Sequence, residues 1–516
     1  MKLPTSLKGE YDRLSSERSP YLNRAREASK YTVPALLPPE GRQGGNRLRR
    51  GFSNFGARCV NSLASKLLLS ILPARQSFFR LAVDDDLLAE LGGPEVIADV
   101  DKALAGMESK VQQDIEATAT RTPVGEGIKH LLVGGNVLLQ MLPKGGIKTY
   151  PLHSFVCLRD GEGEVLTIVT EDMVSPLMLP ESIRVAVQLK MVDRGTQEKS
   201  VRLMTGIFRT TTQWQVWQEV EGIRIPDTDG TYPLDQSPWM ALRWTPVDGE
   251  SYGRGIVEDY IGYFQSLEAL TAAIVKGAAI AAKVVYLRNP NGVTKARALT
   301  GSETGDVIDG MPEDIHALQS EKAQDFRTAR EMINDIKEEL SFAFALNQAI
   351  QRNAERVTAE EIRYMAQELD SLLGGIYSTL SLEFQLPFLR RKMAELEKKG
   401  KLPKMPKDAL RPVIITGLDA LGRGAELDNL RALVKDIVDM GGPQALDTYV
   451  NFDNLLKRLS TARGVKSEGL VKTPDEVAAA QAASQQQDMA MKLGPNAINQ
   501  MGALAKQGMP AQGTPA

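Results

Sequence analysis

From Thr358 onward the chain repeats Ile362, Met365, Leu369, Leu372, Ile376, Leu380 and Phe384 at three- and four-residue steps, the period of one face of an α-helix. Thr358 and Glu361 form a capping box at its start. The hydroxyl accepts from a free backbone N–H and the Glu side chain reaches back, which together stabilise that end by about 1 kcal/mol. Pro387 is expected to kink this helix rather than end it, because Leu389 to Lys399 is again helix-forming. Gly400 and Pro403 supply the stop. A helix of about forty residues is several times the usual length in globular proteins, and it points to an architectural part rather than an enzyme.

Two further helices precede it. Ile256, Tyr260, Phe264, Leu267, Leu270 and Ile274 lie on one stripe of a helix predicted from about Ile256 to Val285. Met332, Ile336, Leu340 and Phe344 mark a second from Asp325 to Leu346. Between them, Asn289-Pro290-Asn291-Gly292 breaks the helix, and the segment to Gln324 mixes glycine and proline with short extended pieces. After the second helix comes a loop of amides and arginines: Asn347, Gln348, Gln351, Arg352, Asn353 and Arg356. Such side chains make adaptable, sequence-independent hydrogen bonds to phosphate. The other reading is a seam between subunits, in which Arg352 and Arg356 pair with acids on a neighbour.

Tyr11 to Leu142 reads mainly as helices, with Leu63, Leu67, Leu68 and Ile71 on one core face and Val100, Leu104, Met107, Val111 and Ile115 on another. Arg42, Arg47, Arg49 and Arg50 gather among glycines, either as a solvated loop or as a contact for DNA or a partner. From Ile147 to Thr245 the texture becomes short runs of β-branched and aromatic residues. Asp160-Gly161 marks a hairpin turn, and strands are expected at Val165 to Val169, Val201 to Phe208, Gln213 to Val220 and Trp239 to Trp244. All four tryptophans, Trp214, Trp217, Trp239 and Trp244, fall in this block and read as packing residues. Beyond Gly400, helical patterns cover Leu427 to Met440 and about Asn454 to Thr461. A third helix is expected from Thr473-Pro474-Asp475-Glu476 to about Leu493, with a mobile remainder from Gly494.

Composition sets the class. With 516 residues, 42% hydrophobic and 25% charged, the chain can bury cores sufficient for two to four packed units. The polar start Met1 to Tyr11 lacks a signal peptide's apolar stretch, and the most apolar segment, Ala272 to Leu287, is interrupted by Lys276 and Lys283, so no membrane span is expected. Cys59 and Cys157 suit buried small hydrophobes in a reducing compartment. A net charge of -3 argues against a tight grip on nucleic acid. A conduit needs that weakness, because each neutralised phosphate steepens affinity and a ring repeats every such contact.

Chemistry-bearing patterns are scarce. No G-x-x-x-x-G-K-[ST] loop provides an ATP cradle and no G-x-S-x-G elbow places a serine beside a base. Gly417, Gly422 and Gly424 suit a turn between helices rather than a nucleotide site, and His130, His153 and His316 lack metal-ligand spacing. Asp84, Asp85 and Asp86 could hold Mg²⁺ in a nuclease, or simply solvate a helix start. Asp248 and Glu250 flanking Tyr252 could be read as an acid and base pair. The competing reading is a structural joint in which Gly249 and Gly253 permit a sharp turn and Arg254 ties charge across it. The expectation is no catalytic residue, no metal and no cofactor.

Several segments, taken in order, resemble the portal proteins, or head-to-tail connectors, of short-tailed bacteriophages. They are N-S-L-A-S-K-L (Asn61 to Leu67), L-V-G-G-N-V-L-L (Leu132 to Leu139), D-G-E-S-Y-G-R (Asp248 to Arg254), S-F-A-F (Ser341 to Phe344), E-R-V-T-A-E-E-I-R-Y (Glu355 to Tyr364) and G-L-D-A-L-G-R-G (Gly417 to Gly424). The likeness covers roughly residues 10 to 430. It implies a mixed α/β, predominantly α portal fold with wing, helical stem, clip and helical crown, assembled as a ring. The implied parts are an N-terminal wing region (1–250), first stem helix (251–285), clip (286–324), second stem helix (325–346), tunnel loop (347–357), long wing helix (358–400), crown (401–470) and C-terminal helix with mobile tail (471–516).

The resemblance implies a twelve-subunit ring at one capsid vertex, assembled in the host cytoplasm, through which double-stranded DNA enters and leaves. The implied partners are a terminase motor, then tail adaptor proteins, the major capsid and scaffolding proteins, and possible internal core proteins. The tunnel-loop residues would face DNA, while Ile256, Tyr260, Phe264, Leu267, Met332, Ile336 and Leu340 would pack the stem or the oligomer. The amphipathic stem helices and the tryptophan-bearing sheet are the expected surfaces between subunits. Two alternatives stay open at this point: another structural ring or tail adaptor protein of the virion, and a metal-dependent nucleic-acid enzyme using Asp84 to Asp86.

Overall fold

Helix α1 (Leu7–Tyr31) buries Leu7, Tyr11 and Leu14 on one stripe. Its Leu7 N–H donates to Glu219 Oε2 at 2.9 Å, which puts a carboxylate at the positive end of the helix. The computed structural model describes residues 3–41, 47–73, 77–83, 94–193, 200–281, 285–318, 323–346, 373, 375–403, 410–414, 432–442, 444, 450 and 455. Helix α2 (Phe55–Ile71), strand β1 (Phe79–Val83), α3 (Pro94–Ala117) and α4 (Arg121–Gly134) follow. Leu63, Leu67 and Ile71 on α2, with Leu104, Met107, Val111 and Ile115 on α3, lie in one large core, as their spacing predicts.

The block read as sheet-rich holds β2 (Asn136–Met141), β3 (Ile147–Pro151), β4 (Phe155–Arg159), β5 (Val165–Val174), α5 (Glu181–Asp193), β6 (Val201–Arg209), β7 (Gln213–Val220), β8 (Ile223–Arg224), β9 (Gly230–Pro233) and β10 (Trp239–Arg243). Strands β10-β2-β3 form one sheet and β4-β5-β6-β7-β8 a second, with β9 also paired to β7. Asp160 shapes the turn between β4 and β5, its Oδ1 accepting from the N–H groups of Glu162 and Glu164 at 3.0 and 2.8 Å.

The period of two in a strand divides the larger sheet between two apolar clusters. Phe155, Cys157, Ile168, Ile207, Trp214 and Val216 face one side with Leu22 and Ala25 of α1. Val156, Val169, Phe208 and Trp217 face the other, under Leu7, Tyr11 and Leu14. A single helix therefore helps to close both faces of the sheet. All four tryptophans are buried inside the subunit. Trp217 stacks on Phe208 with centroids 4.6 Å apart, and the Trp214 indole N–H donates to the Leu234 carbonyl. The tryptophans are thus packing residues, as expected, their apolar area being spent on the chain's own core.

The helix expected from Ile256 to Val285 is two helices and a strand. Helix α6 (Ile256–Asp259) breaks at Tyr260, α7 (Ile261–Ala281) follows, and Val285 belongs to β11 (Val285–Arg288). The β-branched and aromatic residues at Val285 and Tyr286 favour the strand, which pairs antiparallel with β12 (Ile315–Leu318). Between these strands lies the short α8 (Ala296–Thr300), and α9 (Ala323–Ala343) follows β12.

Residues 375–380 are helical and run into a π turn at Ser381–Gln385, and α10 (Leu386–Lys398) continues past Pro387. The π turn is the physical answer to Pro387, which lacks an N–H and crowds the carbonyl four residues back. Gly400, at φ +70°, ends α10 as expected, with the Lys401 N–H donating to Leu396 O at 2.9 Å. Strand β13 (Leu410–Ile414), in the span assigned to the crown, pairs antiparallel with β1. These elements all belong to a unit spanning Met1–Ala420. In the second unit, Leu421–Ala516, residues 432–441 form a helix with Leu433 and Met440 exposed.

Candidate functional site

Two of the segments singled out in the sequence interlock at the root of α6. The Gly253 N–H donates to Asn136 Oδ1, and Asn136 Nδ2 donates back to Gly253 O, each at 2.8 Å. Gly135, at φ +71°, lies so close that a Cβ there would meet the backbone of residues 253–255 at 2.5–2.7 Å. Tyr252 is buried, its hydroxyl accepting from Cys157 N–H at 3.0 Å, and Ser251 Oγ accepts from Arg159 N–H at 3.2 Å. Arg254 pairs with Glu250 at 3.1 Å and reaches Glu258 at 4.0 Å. Asp248 to Arg254 is thus a joint of the fold. The Tyr252 phenol is engaged by a backbone amide and the Glu250 carboxylate by a guanidinium, while Asp248 is exposed.

Helices α7 and α9 pack antiparallel from this root. Phe344 meets Tyr260 and Phe264 edge-to-face, with centroids 5.8 and 5.6 Å away. Further along, the space a Cβ on Gly277 would need is filled by the Phe326 ring. Of the predicted stem residues, Ile256, Phe264, Leu267 and Leu340 are buried in the chain's own core, while Tyr260 and Ile336 pack partly buried against it. Met332 is 50% exposed. Tyr263, Val275, Ile280 and Phe342 also leave apolar surface uncovered on this pair.

The end of α9 is held firmly. Ala345 adopts φ +50°, a left-handed cap, and the Leu346 N–H returns to Ser341 O at 2.7 Å. The Lys66 ammonium donates to the Ala345 carbonyl, which explains the lysine in the α2 segment. The amide and arginine loop begins at the next turn. Asn347, Gln348, Gln351, Arg352, Asn353 and Arg356 lie outside the described residues, as do Asp84 to Asp86, Arg42, Gly417, Gly422, Gly424, the capping box of Thr358 and Glu361, and the helix start at Thr473 to Glu476. Arg47, Arg49 and Arg50 are exposed, and the chain after them is tied to α7: Phe52 and Ser53 N–H groups donate to the Glu268 carboxylate at 2.9–3.0 Å.

The π turn carries a buried ion cluster that sequence reading missed. Glu383 accepts from the Arg243 backbone N–H at 2.7 Å and its side-chain Nε at 2.9 Å, and pairs with Arg159 at 3.3 Å. Arg159 also donates to Gly163 O and Ala241 O, each at 2.8 Å. The long helix is thereby joined to both sheets by charge. Nothing in the spacing of three residues so far apart could have signalled it.

Titration follows burial. His130 is pushed down to about 4 and His153 is also lowered, both chiefly by burial, while the Cys59 thiol rises to about 12. Both cysteines are buried and unpaired as thiols. Among the described residues no helix is long and apolar enough to cross a membrane, and no group of three or more His, Cys, Asp or Glu is placed to hold a metal.

Residues 5–471 match the model of the bacteriophage head to tail connecting protein family. The chain belongs to that family. Similar proteins include the portal protein of Escherichia phage T7, 39% identical over 515 residues, covering 98% of this chain and 94% of the relative. The portal protein of Enterobacteria phage T3 is 40% identical over 476 residues, covering 91% and 88%. That of Enterobacteria phage SP6 is 31% identical over 429 residues, covering 81% of each. The connector family match spans the joint, the helix pair and the ion cluster, so the resemblance drawn from short segments extends over nearly the whole chain.

Proposed function

We propose that this chain is the portal subunit of a bacteriophage virion, a structural protein rather than an enzyme. Twelve copies form a ring at one capsid vertex, through which double-stranded DNA is packaged and later ejected. The observation that carries this reading is the antiparallel α7 and α9 pair, which leaves a β-containing wing, bears the β11–β12 module at its far end, and returns to the amide and arginine loop. Twelve helices packed about 10 Å apart enclose a circle roughly 38 Å across, leaving roughly 28 Å inside the helix radii, enough for a duplex. The exposed side chains of α9 include Asp325, Glu331, Asp335, Glu338 and Glu339 against Arg327, which pairs with Glu331, and Arg330, a net acidic surface that a duplex slides past without being gripped.

In this mechanism α7 and α9 form the stem and residues 286–324 the clip, where a terminase motor docks and tail adaptor proteins later replace it. The loop at 347–357 brushes or clamps the duplex through Arg352 and Arg356. The apolar surface left by Tyr263, Val275, Met332 and Phe342 packs against the neighbouring stem. Capsid and scaffolding proteins surround the wing, and internal core proteins meet the crown. Arg352→Ala with Arg356→Ala tests the loop through packaged genome length and retention. Correctly assembled rings with unchanged values for both would remove the loop from the mechanism. Particle mass tests the ring itself, since twelve copies of a 56.5 kDa chain weigh roughly 680 kDa.

A further inference from the structure

The module between β11 and β12 separates its charge by sign. From Arg288 to Ser302 the charged residues, Arg288, Lys295 and Arg297, are all basic; from Glu303 to Asp314 they are all acidic. Lys295, Arg297, Glu303, Asp309 and Glu313 are exposed, and none of these side chains enters an ion pair within the subunit among the described residues. Asp314 is the exception on the acidic side. It is buried and serves the fold, accepting from Thr294 N–H at 3.0 Å and Thr294 Oγ at 2.9 Å.

Shape follows the same division. An open cleft of about 530 Å³ is lined by Thr294, Thr300, Ile308, Met311, Pro312 and Ile315. Ile308 faces this cleft, whereas its neighbour Val307 is 97% exposed. One acidic strip therefore carries an exposed apolar knob, Val307, next to a residue that walls the cleft, while the basic segment precedes it. A ring closes by joining two unlike surfaces of neighbouring copies, which a basic and an acidic segment supply.

We infer that the occupant of this cleft is the clip of a second copy of the chain: Val307 of one copy seats in the cleft of the next, with Glu303, Asp309 and Glu313 beside that neighbour's Lys295 and Arg297. Opposite potentials fix the direction and register of the contact, because a reversed neighbour would bring like charges together. The inference rests on the ring reading and names the residues that set its handedness.

The test uses the full chain and three variants. The first carries Lys295→Glu with Arg297→Glu, the second Glu303→Lys, Asp309→Lys and Glu313→Lys, and the third Val307→Glu; all these positions are exposed, and circular dichroism verifies folding. Each variant alone should need about tenfold more subunit than the parent to form rings, read by particle mass. Mixing the first two in equal amounts should restore rings, because each supplies the charge the other lacks. Reversals that leave assembly unchanged in a parent that forms rings overturn the clip contact and spare the ring. Intact rings that instead lose capture of a motor or tail protein assign the surface to that partner and overturn it too. A parent chain that stays a single subunit overturns the ring and the clip contact together.

Discussion

Asn136 and Gly253 lie 117 residues apart and exchange two hydrogen bonds of 2.8 Å, one in each direction. Both are buried, so neither amide has water to fall back on. The pair holds the end of α4 against the root of α6, and hence sets where the α7 and α9 pair leaves the sheets.

Asn136→Ala leaves the Gly253 N–H and C=O without that partner. We expect a loss of about 2–4 kcal/mol, taking one buried unsatisfied donor and one acceptor, read from denaturant unfolding. Asn136→Asp keeps the acceptor but sets a buried carboxylate oxygen against the Gly253 and Gly134 carbonyls, and should be no more stable than Asn136→Ala at neutral pH. Equal stability of Asn136→Ala and parent would contradict the exchange.

Gly249 and Gly135 separate conformational strain from collision. Both have positive φ, +74° and +71°, yet a Cβ on Gly249 meets nothing within 4 Å while one on Gly135 runs into backbone. Gly249→Ala should cost about 1–2 kcal/mol from the left-handed backbone alone. Gly135→Ala should cost on the order of 3 kcal/mol or more, or prevent folding. Equal thermal midpoints for the two would refute the close approach.

Glu383→Ala strands two guanidinium groups, Arg159 and Arg243, whose side chains are only 5% and 10% exposed. Uncompensated buried charge predicts a loss of about 3–5 kcal/mol. Replacing all three members by apolar residues of similar volume should recover most of it. Hydrogen exchange should locate the loosening in residues 375–398 and β10. A triple variant no better than the single one would point away from charge burial.

His130 gives the pH dependence a sign. Its imidazole titrates near 6.5 in the unfolded chain and near 4 in the folded one, because burial disfavours the charged form. Between those values the unfolded chain binds more protons, so stability rises with pH; the contribution is full above 6.5 and is lost as pH falls to about 4. The shift corresponds to about 3 kcal/mol. His130→Leu should flatten the pH 4–6.5 limb of the stability profile relative to the parent, whatever its effect at pH 7. Parallel profiles would show that His130 is not what titrates.

Helix and strand order was legible because periodicity is local: the rows Leu104 to Ile115 and Met332 to Phe344, and the alternation through Phe155 to Val169, each declare which face needs covering. The structural role expected for Asp248 to Arg254 was also legible, since glycines before and after a tyrosine signal a turn around a buried ring. The split at Tyr260 of the helix expected from Ile256 was not, because the apolar stripe runs straight across the break. On α7 and α9, periodicity shows that a face is apolar but not whether the chain's own core uses it. Thus Phe264 and Leu340 are consumed within the subunit while Met332 is half exposed.

By itself, the sequence determined the apolar helical rows and the strands of the sheet-rich block that lie among the described residues, and the connector family, which are written in spacing and in the order of short segments. Only the tertiary structure decided the pairing of β1 with β13, the exchange between Asn136 and Gly253, the joining of Glu383 to two arginines, and the outward turn of Val307 beside an inward Ile308. The physical reason is that periodicity is set by the few residues around each position. A partner is set by which distant groups packing brings within about 3 Å, and spacing along the chain carries no record of that.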